Sequence, residues 1–281
     1  MKTPSVVEVR QRVEKDPFKW PRKADLADFR AMLRRGNQHP APGPDRWEKW
    51  CMKSLSDDAL QLVLGLHNYE VINASFPGSV KDMTCTMFHK QNLRTDLTNW
   101  RGIMLSNFIA NSPMTWLTHL LTTYTSKKNI IPETQVATQQ GVQTRDIISY
   151  LSSVKCFAQR NHQTIYALQR DQMKGFDYLA PQGFYDVIRA YGLPNAIADI
   201  DRAAQSDTKV YVRTAFGTAG PIMVNAVTKQ GGPASPLKST LTTSLGHRYL
   251  NDMAKDEQGT LVMETGNTLE WKEPHEPDHR T

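Results

Sequence analysis

Cysteine and long hydrophobic runs are both scarce in this sequence, and their scarcity excludes several classes of protein. The three cysteines, Cys51, Cys85 and Cys156, lie too far apart for a disulfide framework or a zinc site. The most apolar stretch, residues 103–121, is interrupted by Asn, Ser, Pro and His, so no membrane-spanning helix is expected. The N-terminus, MKTPSVVEVRQRVEKDPFKW, lacks the apolar centre of a signal peptide. We therefore expect an intracellular protein of the nucleus or cytoplasm, neither secreted nor membrane-bound.

The sequence has an excess of positive charge, and this charge is unevenly spread. The net charge is +6 over 281 residues. Residues 251–281 carry eight acidic and three basic side chains, a net charge of −5, which leaves +11 on residues 1–250. A body this basic favours a polyanionic partner, nucleic acid first, but charge alone fits a basic fold without such a partner equally well. The acidic segment 251–281 is predicted to be a loosely ordered tail.

The order of predicted elements is typical of an α+β protein and not of alternating βα units. Helical periodicity and capping residues predict helices over residues 24–35, 55–72, 112–129, 145–160, 181–191 and from Ser235 to about Tyr249. Alternating apolar residues predict strands over residues 83–90, 100–107 and 164–171, and a hairpin over 209–227 with its turn at GTAG.

The strand predicted at 164–171 ends in a carboxylate, Asp171, and a second aspartate, Asp177, follows closely. A carboxylate is costly at such a place unless it is paired, solvated or bound to a metal ion. The stretch by itself leaves two interpretations open, a solvated carboxylate at a strand end or a metal ligand.

Four motifs occur in a fixed order along the chain: APGPD at 41–45, NWRGIMLSN at 99–107, RDQMKGFD at 170–177 and KQGGPASP at 229–236. A weaker fifth motif, QQGVQTRDII, covers residues 139–148. Together they resemble the reverse transcriptase domain of non-LTR (LINE-like) retrotransposons, over roughly residues 38–250. Any one of the motifs would be weak, and their order and spacing carry the resemblance.

The resemblance implies a right-hand polymerase fold with fingers and an incomplete palm. On this basis we expect an N-terminal helical extension (1–36), a fingers-like subdomain (37–160), a partial palm (161–250) and the acidic tail (251–281).

The implied activity is RNA-directed DNA synthesis, with an RNA template, a DNA primer and dNTPs as partners. Such nucleotidyl transfer uses two Mg²⁺ ions, for which Mn²⁺ can substitute, to activate the 3′-hydroxyl and stabilise the leaving pyrophosphate. Asp171 matches the first catalytic aspartate of the family, a metal ligand, and Gln172 matches a position that offers its backbone carbonyl to the metal. Phe176 matches an aromatic residue under the sugar, which excludes a 2′-hydroxyl by steric clash and implies dNTP selection. A packed phenylalanine is the alternative.

The remaining motifs imply contacts to the nucleotide. Gln230 and Gly231 match the Gln-Gly pair that lines the nucleotide pocket, and Arg101 matches an arginine that clamps the triphosphate. Lys90 and Arg94 lie upstream on the same predicted hairpin and are candidate partners of Arg101, although each could be an ordinary surface charge.

The sequence departs from the family pattern at several places. A lysine of the family is replaced by Asn111, and a proline by Gly102. Lys229 is a further candidate for phosphate contact.

The second carboxylate motif of the family, an Asp-Asp pair on a later hairpin, does not follow Tyr249. The only such pair, Asp57-Asp58, lies at a predicted helix start. We therefore expect a truncated domain that does not polymerise alone. Two alternatives stay open: a degenerate, non-catalytic nucleic-acid-binding remnant of the same fold, and a helical interaction protein with accidental motif matches.

Overall fold

The computed structural model describes residues 3–21, 23–132, 135–136, 138, 141–165, 175–176, 178–225 and 228–256. Within these ranges the chain is α+β, as predicted, with nine α-helices and one four-stranded mixed sheet. None of the helices in the described ranges is long and apolar enough to cross a membrane.

The helices are α1 (Pro4–Lys15), α2 (Leu26–Arg34), α3 (Lys49–Lys53), α4 (Asp57–Asn73), α5 (Phe108–Lys127), α6 (Thr144–Arg160), α7 (Pro181–Ala190), α8 (Asn195–Gln205) and α9 (Ser235–Asp256). The strands are β1 (Met83–His89), β2 (Trp100–Ser106), β3 (Thr208–Thr214) and β4 (Gly217–Val224). Short 3₁₀ turns cover Gly78–Lys81 and Leu97–Asn99.

The sheet joins two sequence-distant hairpins. Its strand order is β2-β1-β3-β4, with β1 antiparallel to β2, β1 parallel to β3, and β3 antiparallel to β4. Met83, Cys85 and Val210 form a small buried cluster on one face. The parallel β1–β3 pairing places the β1–β2 hairpin beside the β3–β4 hairpin, which precedes the KQGG motif.

The helices pack around two apolar clusters that α8 connects. One cluster is formed by α1, α7 and α9, with fully buried Val9 and Ile188 at its centre. The other is formed by α2, α4 and α5 around Phe29. On α8, Ile197 belongs to the first cluster and Ile200 to the second. Because α8 packs into both clusters, it fixes their separation.

Two helices were predicted closely from their end signals. The Ser56 hydroxyl oxygen accepts the Ala59 N–H at 3.3 Å, as expected of the residue that caps α4. Gly192 follows α7 with a φ of +73°, the left-handed conformation that favours glycine after a helix. Both predictions are confirmed.

Helix α5 begins earlier than predicted, at Phe108 instead of Ser112. Pro113 lies inside the helix and cannot donate to the Ile109 carbonyl. The Ser112 hydroxyl donates to that carbonyl instead, at 3.1 Å. This side-chain donor replaces the backbone N–H that proline lacks. The helix therefore continues through Pro113, although in the sequence the proline indicated its start.

The turn of the second hairpin is also different from the prediction. Strands β3 and β4 are joined at Ala215 and Phe216, and the predicted turn GTAG forms the start of β4. Gly217 takes a φ of +135° as the first residue of β4, and Gly220 lies at a register shift between β3 and β4. Gly217 therefore lies at the start of β4 and Gly220 at the register shift, and neither glycine is part of the turn itself.

Some segments were missed or lie outside the described residues. Helix α8 was not predicted, and residues 251–256, assigned to the tail, continue α9. Of the predicted strand 164–171, only Thr164 and Ile165 are described, and neither is in a strand.

Candidate functional site

The loop that carries Gln230 and Gly231 lies against strand β2, which also carries Arg101. The Met104 N–H of β2 donates a hydrogen bond of 2.8 Å to the Gln230 carbonyl oxygen. Gly231 has a φ of +101°, and a Cβ there would lie 2.8 Å from the Met104 carbonyl oxygen. A larger residue would collide with the strand backbone, so this contact requires glycine. Two motifs that are distant in sequence are thus in direct backbone contact.

The APGPD loop meets the end of the same strand. A Cβ on Gly43 would lie 2.5 Å from the Asn107 backbone nitrogen, so the loop passes directly over the β2–α5 junction. The Asn107 side-chain oxygen accepts the Asp45 N–H at 3.0 Å, and its amide nitrogen donates to the Val80 carbonyl at 3.1 Å. Burial raises the pKa of the Asp45 carboxyl. Two further motifs, APGPD and KQGGPASP, therefore converge on β2, which is itself part of NWRGIMLSN.

Phe176 lies in a turn that is connected to the Gln230 loop through Leu179. The Leu179 N–H donates to the Phe176 carbonyl at 3.3 Å, and the buried Thr228 hydroxyl donates to the Leu179 carbonyl at 3.1 Å. Phe176 itself is half-buried. The turn that follows RDQMK is therefore held beside the segment that leads into Gln230.

Arg101 lies on the face of the sheet opposite to the apolar cluster. It pairs with Phe88 on β1, and Thr86 on β1 pairs with Arg213 on β3. Because residues two apart on a strand share a face, Arg101, Phe88 and Arg213 lie on the same side. Both arginines are exposed, and Phe88 is 52% exposed. We call this side, with Lys209 on β3, the basic sheet face.

Lys90 and Arg94 lie in the connection between β1 and β2, beside this face. The Lys90 N–H donates to the Asn99 carbonyl at 2.8 Å, and the Trp100 indole N–H donates to the Arg94 carbonyl at 2.9 Å. Within the described residues, the side chains of Lys90, Arg94 and Arg101 form no ion pair, and all three residues are exposed. Their charges are available to an anionic ligand.

Asp171, Gln172 and Asp177 lie outside the described residues. Across the ranges that are described, no group of three or more His, Cys, Asp or Glu side chains could hold a metal ion. The two-metal site built on Asp171 and Gln172 therefore stays a prediction. Asp57 and Asp58 form the exposed first turn of α4, the context expected from the sequence.

A buried network of charged side chains lies next to the KQGG motif. The sequence did not reveal this network. Lys238 on α9 donates to both carboxylate oxygens of Asp201 on α8, at 3.0 and 2.8 Å, and both side chains are almost fully buried. The Tyr185 hydroxyl also donates to Asp201, at 3.1 Å. Burial, with Asp201 nearby, raises the pKa of Tyr185. The pair bridges two helices that are far apart in sequence, so no local spacing could have identified it.

Lys229 takes part in the same network and not in the exposed basic face. Its Nζ donates to the Ala204 carbonyl at 3.1 Å. Burial lowers the pKa of Lys229 to about 8. The ammonium group of Lys229 is thus turned toward the end of α8, and the expected phosphate contact of Lys229 stays a prediction.

A second buried polar cluster lies within the α2–α4–α5 core. The Ser112 hydroxyl donates to the Ile109 carbonyl, which leaves its oxygen to accept the His67 Nδ1–H at 2.9 Å. Glu70 is fully buried, and neither carboxyl oxygen has a hydrogen-bond partner among the described residues. Burial lowers the pKa of His67 to about 4 and raises that of Glu70 to about 8. Since Glu70 accepts no hydrogen bond from His67, these three side chains do not form a Ser–His–acid relay in the part of the chain that the structure describes.

Comparison with known proteins gives no assignment, since no protein-family model matches the chain and no curated protein matches it significantly.

Proposed function

We propose that this chain forms the fingers and partial palm of a reverse transcriptase-like domain of the non-LTR retrotransposon type. In this proposal it binds an RNA template, a DNA primer and dNTPs, and its chemistry is nucleotidyl transfer. Asp171 and the Gln172 carbonyl would hold Mg²⁺, which neutralises charge on the transferred phosphates.

The remaining residues would position the nucleotide. Arg101, with Lys90 and Arg94, would bind the triphosphate through charge-assisted hydrogen bonds. Gln230 and Gly231 would line the pocket, and Phe176 would exclude a 2′-hydroxyl. Each of these residues is a candidate from the resemblance, and the geometry above is compatible with their joint use.

One observation supports the proposal most strongly. The Met104 N–H donates to the Gln230 carbonyl at 2.8 Å, so the Gln230–Gly231 loop is bound to the same strand that carries Arg101. An accidental match of separate motifs gives no reason for such convergence. Arg101 on this strand and Lys90 and Arg94 in the β1–β2 connection are exposed and form no ion pair within the described ranges. They have the charge that a triphosphate requires.

Nucleotide binding tests the proposal. The purified chain is bound to an RNA template with a chain-terminated DNA primer, and the affinity for the next Mg²⁺-dNTP is measured. We expect Arg101→Ala to weaken binding by about tenfold or more, because a charge-assisted hydrogen bond contributes about 1.5–3 kcal/mol. Arg10→Ala removes an exposed arginine of α1 that pairs with Glu14 at 2.9 Å, and it should change the affinity by less than about twofold. Equal losses in both variants would contradict the proposal.

A non-catalytic nucleic-acid-binding remnant is the second candidate function. It is favoured by one observation, the exposed Arg101 and Arg213 on one sheet face, which can contact phosphates without a catalytic group. This candidate predicts salt-dependent binding of the template–primer without any dNTP affinity. In both cases we expect the chain alone to leave a primer unextended, and extension that Asp171→Ala abolishes would overturn that expectation.

A further inference from the structure

Lys229 directly precedes the Gln230–Gly231 loop, and its side chain reaches the last turn of α8. Its Nζ donates to the Ala204 carbonyl at 3.1 Å. The last four carbonyls of a helix lack donors within the helix, and the negative end of the helix dipole attracts a cation. Lys229 therefore supplies a donor to one of these terminal carbonyls, that of Ala204.

The surroundings of Lys229 restrict where its ammonium group can lie. Asp201 is the nearest opposite charge, while Lys238 and Lys81 are like charges that oppose the protonated form. Lys81 has its own place at the same helix end, where its Nζ donates to the Ser206 carbonyl at 2.7 Å. A buried ammonium group is stable only where it has hydrogen-bond acceptors. The Ala204 carbonyl is such an acceptor and defines the position of the Lys229 Nζ.

The backbone of Lys229 is fixed as well. Its carbonyl oxygen accepts the Gly232 N–H at 3.1 Å and the Ser235 hydroxyl at 2.6 Å, at the start of α9. The next carbonyl along the chain, that of Gln230, accepts the Met104 N–H at 2.8 Å. Two consecutive residues thus connect three elements, α8, α9 and β2.

We propose that Lys229 is the positioning residue of the Gln230–Gly231 loop. The hydrogen bond of its side chain to the end of α8 holds the Gln230 carbonyl against β2. The importance of the loop for nucleotides rests on the proposed function, whereas the positioning itself rests only on these contacts. Lys229 acts through Gln230 and needs no contact with a ligand.

The Met104 amide reports this contact directly, because its N–H is bound to the Gln230 carbonyl. Hydrogen exchange of single amides is measured by NMR in the wild type and in Lys229→Met, which keeps the stem and loses the ammonium group. We expect Met104 to exchange at least about tenfold faster in the variant, since local opening governs exchange. Lys229→Arg keeps a charged donor and should restore most of the protection.

The neighbouring amides of β2 provide an internal control. Alternate residues of an antiparallel strand direct their N–H groups to opposite sides, so the Ile103 and Leu105 amides face β1. Their exchange should change by less than about twofold in Lys229→Met. Equal acceleration at Ile103 and Leu105 would report opening of the whole sheet and would overturn the proposal.

Two further variants keep the test decisive. Lys81→Met removes the other lysine at the same helix end and should leave Met104 exchange within about twofold of wild type. Ser235→Ala removes the donor to the Lys229 carbonyl and should accelerate Met104 exchange even if Lys229→Met folds poorly. Unchanged Met104 exchange in folded Lys229→Met, or in Ser235→Ala, contradicts the positioning role.

This experiment is independent of nucleotide binding. If Met104 responds as expected but the wild type binds no dNTP, the proposed function fails while the positioning role stands. If dNTP binds but Met104 does not respond, the positioning role fails alone. Where both hold, Lys229→Met should also weaken dNTP binding, and Lys229→Arg should restore it.

Discussion

Glu70 is the residue whose environment opposes its charge most clearly. It is fully buried in the α2–α4–α5 core, and its carboxyl oxygens have no hydrogen-bond partner within the described residues. Burial raises its pKa from 4.5 to about 8. At neutral pH the folded protein therefore holds a proton there that the unfolded chain releases.

This proton makes stability depend on pH in a definite direction. Between about pH 4.5 and pH 8 the folded state binds more protons than the unfolded state, so stability falls as pH rises and levels off above about pH 8. Glu70→Gln should remove this contribution. As the pH rises from about 5 to about 9, the free energy of unfolding of Glu70→Gln, measured in urea, should increase relative to that of the wild type. The expected increase is on the order of 3 kcal/mol.

The comparison between variants removes the effect of His67. The lowered pKa of His67 makes stability fall as pH drops below about 6.5, and this contribution is common to both proteins. Glu8→Gln alters an exposed carboxyl of α1 and should keep the wild-type pH dependence. A parallel pH dependence in wild type and Glu70→Gln would show that Glu70 is already solvated or paired.

Individual residues also show how far the sequence could define the site. Gly231 was expected to line the nucleotide pocket, and that role stays a prediction. The motif did not specify the close approach of its backbone to the Met104 carbonyl of β2. The pairing of Asp201 with Lys238 was not predictable, because only the tertiary arrangement of α8 and α9 brings the two side chains to 2.8 Å. For the same reason the motif alone could not reveal that Lys229 faces inward.

At the scale of elements, helix α1 is the least expected part of the core. Its apolar residues are valines, which have a weak helical preference, among many charged side chains. Nevertheless Val6, Val9 and Val13 are buried, and α1 packs on α9 within the α7–α9 cluster. The helix is thus an integral layer of this cluster.

Truncating one of these valines measures the contribution of α1. Val9 is fully buried, so Val9→Ala should lower the free energy of unfolding by about 2 kcal/mol through lost methyl contacts and a residual cavity. Urea denaturation at constant pH gives this value.

The same helix offers a matched control. Val7 is 40% exposed, and Val7→Ala should change stability by less than about 0.5 kcal/mol, because alanine is the better helix former. If both substitutions cost the same, α1 is not packed as described.

Elements with strong end signals were predictable, and those defined by tertiary contacts were not. Helix α4 was predicted from its apolar periodicity and from a capping residue, Ser56 or Asp57, and the structure uses Ser56. The β3–β4 turn was misplaced because Gly217 and Gly220 resemble a turn, while the pairing of Thr214 with Gly217 sets the turn at Ala215 and Phe216. Local propensity fixes neither strand register nor the partner of a strand.

At the scale of the whole molecule, the topology of the sheet brings several positive charges onto one surface. The parallel pairing of β1 with β3 unites two hairpins, and it places Arg101 and Arg213 on one exposed face. Lys90 and Arg94 adjoin this face, and the Gln230–Gly231 loop covers the β2 edge. Part of the net charge of +11 on residues 1–250 thus lies where three motifs meet.

The most direct test of this account is the salt dependence of template–primer binding. The dissociation constant of an RNA template–DNA primer is measured by fluorescence anisotropy between about 50 and 200 mM salt. It should rise at least about tenfold, and the double variant Arg101→Ala/Arg213→Ala should reduce the log–log slope by about 2. Arg10→Ala/Arg189→Ala, an equal charge change on α1 and α7, should preserve the slope. No binding at about 50 mM salt, or equal slopes in both double variants, would contradict a nucleic-acid-binding sheet face.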